Sequence, residues 1–271
     1  MLQKTFEIHQ GKVAANQLHI EVGRKFLALT AFDEKGKASR NFELYDFNEE
    51  DDFENILSEI ERQSVFLKQQ YKEVKIIWEN ADAQYIPAAF FNDELKNVYY
   101  EIIEKKINPQ EKKYIRNNDF VIAYTADKKQ YELLHKRFSQ AKDSHKYFEI
   151  VDKVSLPENT FSVNILAIFY QKHFVIAAYK NNVLQFINSV QFSSGTDVAY
   201  YLLNAVKQLG TSISDTLISL SGLIDGDSSL FNEINKYVTN IDVDTTPKAT
   251  FLKENFSEYP SHFFVPFFKY S

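Results

Sequence analysis

Cysteine is absent from the 271 residues, which excludes disulfides, thiolate metal sites and cysteine nucleophiles and makes a reducing, cytoplasmic compartment the expected setting. No run approaches the roughly 20 apolar residues that a membrane span needs, and the opening MLQKTFEIHQGKVAANQ lacks the apolar core of a secretion signal. No transmembrane segment is expected. A formal net charge of −6 without a basic block argues against a surface that tracks nucleic-acid phosphates. The local pair Lys112 and Lys113 reads as a solvated loop. The six histidines (His9, His19, His135, His145, His173 and His262) show neither HxH nor HxxxH spacing, so no metal site is expected. Ser193, Ser194 and Gly195 do not form GxSxG, and no nucleophile elbow for a serine hydrolase appears elsewhere.

What is present is bulky and apolar: 44% hydrophobic residues, with 24 phenylalanines and 16 tyrosines to build a core. The length suits two lobes that share an interface. In VNILAIFYQKHFVIAAYKNNVLQFINSVQF, three β-rich runs are separated by Gln171, Lys172 and His173 and by Asn181 and Asn182, which predicts a three-stranded meander. Ser194, Gly195 and Thr196 then lead into DVAYYLLNAVKQLG. There Val198, Tyr201, Leu202, Ala205, Val206 and Leu209 recur at helical spacing and stop at Gly210. A strand (DTLISLSG) and a second amphipathic stretch (DGDSSLFNEINKYV) complete the order βββαβα.

The same order occurs upstream. LHIEV, FLALTAF and ASRNFELYDF form a meander, EEDDFENILSEIERQSVFLKQQ a helix and EVKIIW a strand, with Phe26 aligned to Phe174 and Val74 to Thr216. Repetition at this distance points to paired lobes. Residues 1–155 are assigned to the first and 156–271 to the second. Between the copies, the charged segment around Pro109 reads as a connecting loop. From about residue 119 to 155, a strand, a helix carrying Tyr131, Leu134, His135 and Phe138, and a strand YFEIVDKV read as a small βαβ insert.

This organisation, an α/β chain with two βββαβα lobes and a small insert, resembles the duplicated RNase H-like fold of the actin-like ATPases. The second lobe, with its SGTDV helix start, looks most like the PilM and GspL type. The whole also resembles an uncharacterised family of Bacteroidota proteins with that fold. The resemblance runs from Gln17 to Val243. It implies Mg-ATP between the lobes, held by a glycine-containing hairpin turn from each lobe and an adjacent acid.

Glu21, Gly23 and Lys25 in IEVGRKF match that pattern in part. The equivalent IFYQKHF of the second lobe has neither glycine nor acid. Ser221 and Gly222 in SLSGLIDGDSS resemble the adenosine-side motif with one glycine where two are expected. The acidic run Asp46, Glu49, Glu50, Asp51 and Asp52 could suggest an RNase H-type nuclease, but consecutive acids at a helix start are explained by capping and the helix dipole.

The reading is therefore a non-catalytic, actin-like binding or scaffolding protein with a degenerate nucleotide cleft, no cofactor and no catalytic residue. It would have a protein partner or associate with itself. The alternative is a divergent ATPase or kinase that binds Mg-ATP through Glu21, Gly23, Lys25 and Gly222. The tail SHFFVPFFKYS places Phe263, Phe264, Phe267 and Phe268 at the end of the chain, where they either dock internally or form an interface.

Overall fold

A computed structural model describes residues 2–9, 16–32, 38–79, 82–103, 109–157, 160–244 and 259–271. The chain divides into two compact units, Met1–Lys153 together with Ser271, and Val154–Tyr270.

The first unit runs β1 (Gln3–His9), β2 (Gln17–Val22), β3 (Phe26–Phe32), β4 (Ala38–Asp46), α1 (Phe53–Gln63), β5 (Glu73–Trp78), β6 (Asp82–Pro87) and α2 (Lys96–Ile103). It continues with β7 (Gln110–Arg116), β8 (Phe120–Asp127), α3 (Lys128–Arg137), β9 (Lys142–His145) and α4 (Lys146–Lys153). Its main sheet has the order β1-β4-β3-β2-β5-β9, and a smaller antiparallel sheet has the order β6-β8-β7.

The second unit comprises β10 (Val163–Phe169), β11 (His173–Lys180), β12 (Val183–Gln191), α5 (Gly195–Gln208), β13 (Thr216–Gly222), α6 (Ser229–Asn235) and β14 (Ile241–Val243). Its sheet has the order β12-β11-β10-β13-β14. With β1 set aside, the two sheets share one plan. An antiparallel meander is joined to a parallel strand through a helical crossover, and a further parallel strand follows.

Local sequence explains these elements. Asn181 and Asn182 both adopt positive φ, as the tight turn between β11 and β12 requires, and asparagine tolerates that region better than most residues. Ser194 caps α5 in a reciprocal capping box with Asp197. Gly195 lets α6 approach, since a Cβ there would lie 2.6 Å from Glu233 Cβ. The apolar stripe of α5 buries Val198, Leu202, Ala205 and Val206, whereas Tyr201 stays exposed. In α1, Asp52 accepts hydrogen bonds from the Glu54 and Asn55 amides, and Phe53, Ile56, Leu57 and Ile60 face the core. Every residue of β3 and β10 is buried, as in strands covered on both faces.

Three sequence assignments change. YFEIVDKV is not a strand: residues 146–153 form α4, burying Lys146, Tyr147, Glu149 and Ile150. A helix of eight residues, about two turns, with aromatic and β-branched residues looks like a strand by composition, and the polar groups it buries carry no apolar period. The segment after Pro109 is not all loop, because Gln110–Arg116 pairs along β8 as β7. Half-buried Lys113 there holds its ammonium 4.6 Å from the Tyr131 ring centroid. Finally, β8 and α3 match the expected insert, but the strand after them is β9 at Lys142–His145, ahead of YFEIVDKV, and β8 belongs to the small sheet while β9 joins the main sheet beside β5. Strands β1, β6, β9 and β14 and helix α2 have no counterpart in the sequence reading.

The aromatic tail folds back within the second unit as single turns at Ser261–Phe264 and Val265–Phe268 against β13. Phe264, Phe267 and Tyr270 are buried, and Phe263 and Phe268 are partly covered. The Tyr270 hydroxyl donates to Asp244 at 3.0 Å, Lys269 pairs with the same carboxylate at 2.8 Å, and the His262 ring lies 2.6 Å from the Ile224 carbonyl. Burial, and then the Asp244 charge, push the Tyr270 hydroxyl well above its ordinary pKa. Replacing Phe267 by alanine is expected to cost about 3–5 kcal/mol in urea denaturation. Phe263→Ala is expected to cost much less. Equal, small losses for both would contradict the internal docking of the tail.

Candidate functional site

The two hairpin turns that lead β2 into β3 and β10 into β11 have the same backbone frame. In the first unit, the Gly23 amide donates to the Phe26 carbonyl, the Phe47 amide to the Lys25 carbonyl and the Glu79 amide to the Val22 carbonyl, each at 2.9 Å. In the second, the Tyr170 amide donates to the His173 carbonyl at 2.9 Å, Phe192 to Lys172 at 3.1 Å and Leu223 to Phe169 at 2.8 Å. These bonds equate Gly23 with Tyr170, Phe26 with His173 and Glu79 with Leu223. The sequence alignment of Phe26 with Phe174 is thus shifted by one residue.

Within this common frame the side chains differ. A Cβ on Gly23 would lie 2.0 Å from the Phe26 ring, so the space a glycine leaves open is taken by an aromatic face. At the equivalent place Tyr170 is buried, stacked on the His173 ring at a centroid distance of 4.8 Å and 5° between planes. The Phe267 ring of the tail meets Tyr170 edge-on at 6.1 Å. Both turns are packed with rings.

The acid beside the first turn is also engaged. Glu21 is buried in β2, and its Oε2 lies 2.7 Å from the ammonium of Lys146, the first residue of α4, which has no solvent exposure. Burial lowers the Lys146 pKa, and the charges of Glu21, Glu149 and Glu79 oppose that shift. At this distance the pair is a charge-assisted hydrogen bond. Lys25 is exposed and Arg24 lies 3.5 Å from Asp82.

Gly222, at the end of β13, has φ +83°, and a Cβ there would lie 2.1 Å from the Phe169 carbonyl oxygen. Strand packing alone therefore requires glycine at that position. Of the proposed nucleotide residues, the first unit holds Glu21, Gly23 and Lys25, and the second holds Gly222.

The polar network around Lys146 escaped sequence reading, because its members come from β2, β5, β9 and α4. Glu149 accepts from Lys75 at 3.2 Å, from Lys153 and from the Ser144 hydroxyl, and Lys153 also donates to the Ser271 carbonyl. Burial alone would raise the Glu149 pKa, but Lys153 and Lys75, with the hydrogen bonds, hold it at about 2. Half-buried His19 packs against the Phe32 ring, with its Nδ1 3.4 Å from the Ser271 hydroxyl. Burial, then the charges of Lys75 and Lys153, lower its pKa to about 3. Of the remaining histidines, His135 pairs with Asp143 at 3.0 Å and His145 is buried against Tyr124 and Tyr147. Of the acids before α1, Asp52 caps the helix and pairs with Lys129 at 2.9 Å, and Asp51 accepts from the Asn48 amide in the preceding turn.

The chain belongs to the family described as "Protein of unknown function (DUF3822)", which matches residues 3–241. Among solved structures it is similar to a Bacteroides thetaiotaomicron protein with an actin-like ATPase fold and unknown function (TM-score 0.75, 20% identity), covering 86% of this chain and 94% of that one. It is also similar to a chain of the PilM-PilN type IV pilus biogenesis complex (TM-score 0.55, 10% identity, 95% and 98% covered). A third similar structure is the ethanolamine utilization protein EutJ of Carboxydothermus hydrogenoformans (TM-score 0.52, 5% identity, 97% and 91% covered). These likenesses establish the actin-like ATPase fold. No curated protein sequence matches. Among the described residues no helix is long and apolar enough to cross a membrane.

Two outcomes follow from the buried network. Lys146→Met strands the Glu21 carboxylate and is expected to cost about 3–5 kcal/mol in chemical denaturation, with the double variant Glu21→Leu/Lys146→Met recovering most of it. A double variant no more stable than the single one would contradict the pairing.

For pH, His19 and Glu149 both have folded pKa values below their ordinary ones, about 3 against 6.5 and about 2 against 4.5. The unfolded chain therefore binds more protons at acid pH. Stability is expected to fall from pH 6.5 downward through His19, with Glu149 adding its loss between 4.5 and 2. By pH 5 the histidine contribution amounts to about 2 kcal/mol, and His19→Gln should flatten that part of the stability profile.

Proposed function

We propose that this chain is a non-catalytic binding or scaffolding protein on the actin-like fold, with its phosphate-facing turns given over to side-chain packing. The observation that carries this reading is the second hairpin. Where a phosphate-binding turn needs open backbone amides, Tyr170 is buried, stacked on His173 and covered by Phe267. The first hairpin supports it, since the Phe26 ring lies over Gly23 and Lys146 neutralises Glu21. The two sheets with one strand order fit an internal duplication whose copies have lost their phosphate chemistry in different ways.

A protein partner, or a second copy of the chain, is the occupant this role requires. That a PilM chain of similar fold occurs in a complex with PilN supports a protein partner. A chain without cysteine suits the cytoplasm.

One observation favours a divergent ATPase or kinase binding Mg-ATP through Glu21, Gly23, Lys25 and Gly222. The Ser221 hydroxyl, next to Gly222, is buried without a hydrogen-bond partner, as a group awaiting a ligand would be. A thermal melt with and without millimolar Mg-ATP separates the two. A ligand at about 100 times its dissociation constant adds roughly 2.7 kcal/mol, which for a protein of this size is several degrees. The expected result is no shift. A magnesium-dependent rise that Glu21→Ala abolishes would overturn the binding-protein reading.

A further inference from the structure

At the outer edge of the first unit's main sheet, β1 lies antiparallel to β4, with Glu7 directly opposite Glu43. His9, two residues beyond Glu7, shares its face of the strand. One ligand atom from each of Glu7, His9 and Glu43 lies within 4.8 Å of the others. The His9 Nε2 is 2.8 Å from Glu7 Oε1 and 3.2 Å from Glu43 Oε1. Adjacent ligand atoms of a tetrahedral zinc ion are about 3.3 Å apart when the bonds are about 2.0 Å long, so small side-chain adjustments would admit the ion.

An independent observation concerns charge. The Glu43 side chain is fully buried. Its Oε2 accepts from the Tyr45 hydroxyl at 2.8 Å, and its Oε1 accepts weakly from the Val65 amide at 3.4 Å. The Lys4 ammonium is 4.0 Å from Glu43 and sits instead 3.1 Å from Glu7. Lys4 is thus shared between two carboxylates and lies at the outer limit of an ion pair with the buried one, where buried charges are ordinarily closely paired or bound to metal.

We propose that Glu7, His9 and Glu43 form a binding site for a divalent metal ion of the zinc class. One imidazole with two carboxylates suits such an ion, and the exposed side of Glu7 and His9 leaves room for water as a fourth ligand. Supporting contacts are already in place. The Tyr45 hydroxyl orients Glu43, and the Phe66 ring, edge-on at a centroid distance of 5.1 Å, holds the His9 ring. Lys4, on a flexible stem, supplies the positive charge in the metal-free protein and moves aside when the ion enters.

The test is equilibrium dialysis of the full chain against zinc chloride, followed by metal analysis, for the wild type, His9→Ala and Glu7→Gln. Both substitutions fall on partly exposed side chains, so the fold should survive, and His135→Ala controls for zinc on another histidine. One zinc per chain at micromolar concentration is expected for the wild type and the control, with binding at least tenfold weaker in His9→Ala and Glu7→Gln. Failure of the wild type to take up one equivalent, or a loss below tenfold in both variants, would overturn the proposal.

Discussion

The organisation of the first unit turns on one buried charge. Lys146 has no contact with solvent, so its ammonium must meet a carboxylate or give up its proton. The partner is Glu21, 125 residues earlier, in a strand held between β3 and β5. That contact pins the start of α4 to the end of β2 and sets where β9 and the Glu149 network lie. Replacing the pair by apolar residues need not weaken the fold, because desolvation offsets much of the attraction. What the pair supplies is position: a fixed point between β2 and the start of α4.

The two hairpins separate fold from function at the scale of a few residues. Their backbone hydrogen bonds coincide, so strand order and turn length are the same in both units. Their side chains solve the same packing problem in opposite ways. One turn keeps a glycine and lays Phe26 over it, and the other has Tyr170 with His173 stacked on it. A phosphate needs neither arrangement, since it needs amides that point into open space. Fold likeness therefore carries the architecture and stops short of activity.

How much was legible in the sequence depended on whether its signals were local. Asn181 and Asn182 mark their own turn, the α5 stripe marks its own face, and Ser194 with Asp197 marks its own helix start. Such features depend on neighbours within one turn or one strand, so a linear reading finds them. The Glu21–Lys146 pair is invisible in the sequence because binary patterning has no rule for a buried lysine, and the residues that α4 buries mix polar Lys146 and Glu149 with Tyr147 and Ile150. The residues that follow Lys146, YFEIVDKV, read as a strand. The edge strand β7 was missed because its alternation is half-buried against exposed, a contrast too weak beside so many lysines. Gly222 was noticed, but its positive φ and its contact with the Phe169 carbonyl emerge only when β13 lies beside β10.

The cluster of Glu7, His9 and Glu43 shows the same limit from the other side. No spacing rule links a histidine on β1 to a glutamate on β4, yet sheet register puts Glu7 opposite Glu43 and so brings the group together. Strand β1 is also the element by which the first sheet departs from the second, because among the described residues the equivalent edge at β12 carries no added strand. The cluster therefore cannot arise from the plan that the two units share. It depends on an added strand and on a buried acid at the edge that strand covers. Chemistry at that edge would be this chain's own, independent of whether any nucleotide meets the hairpin turns.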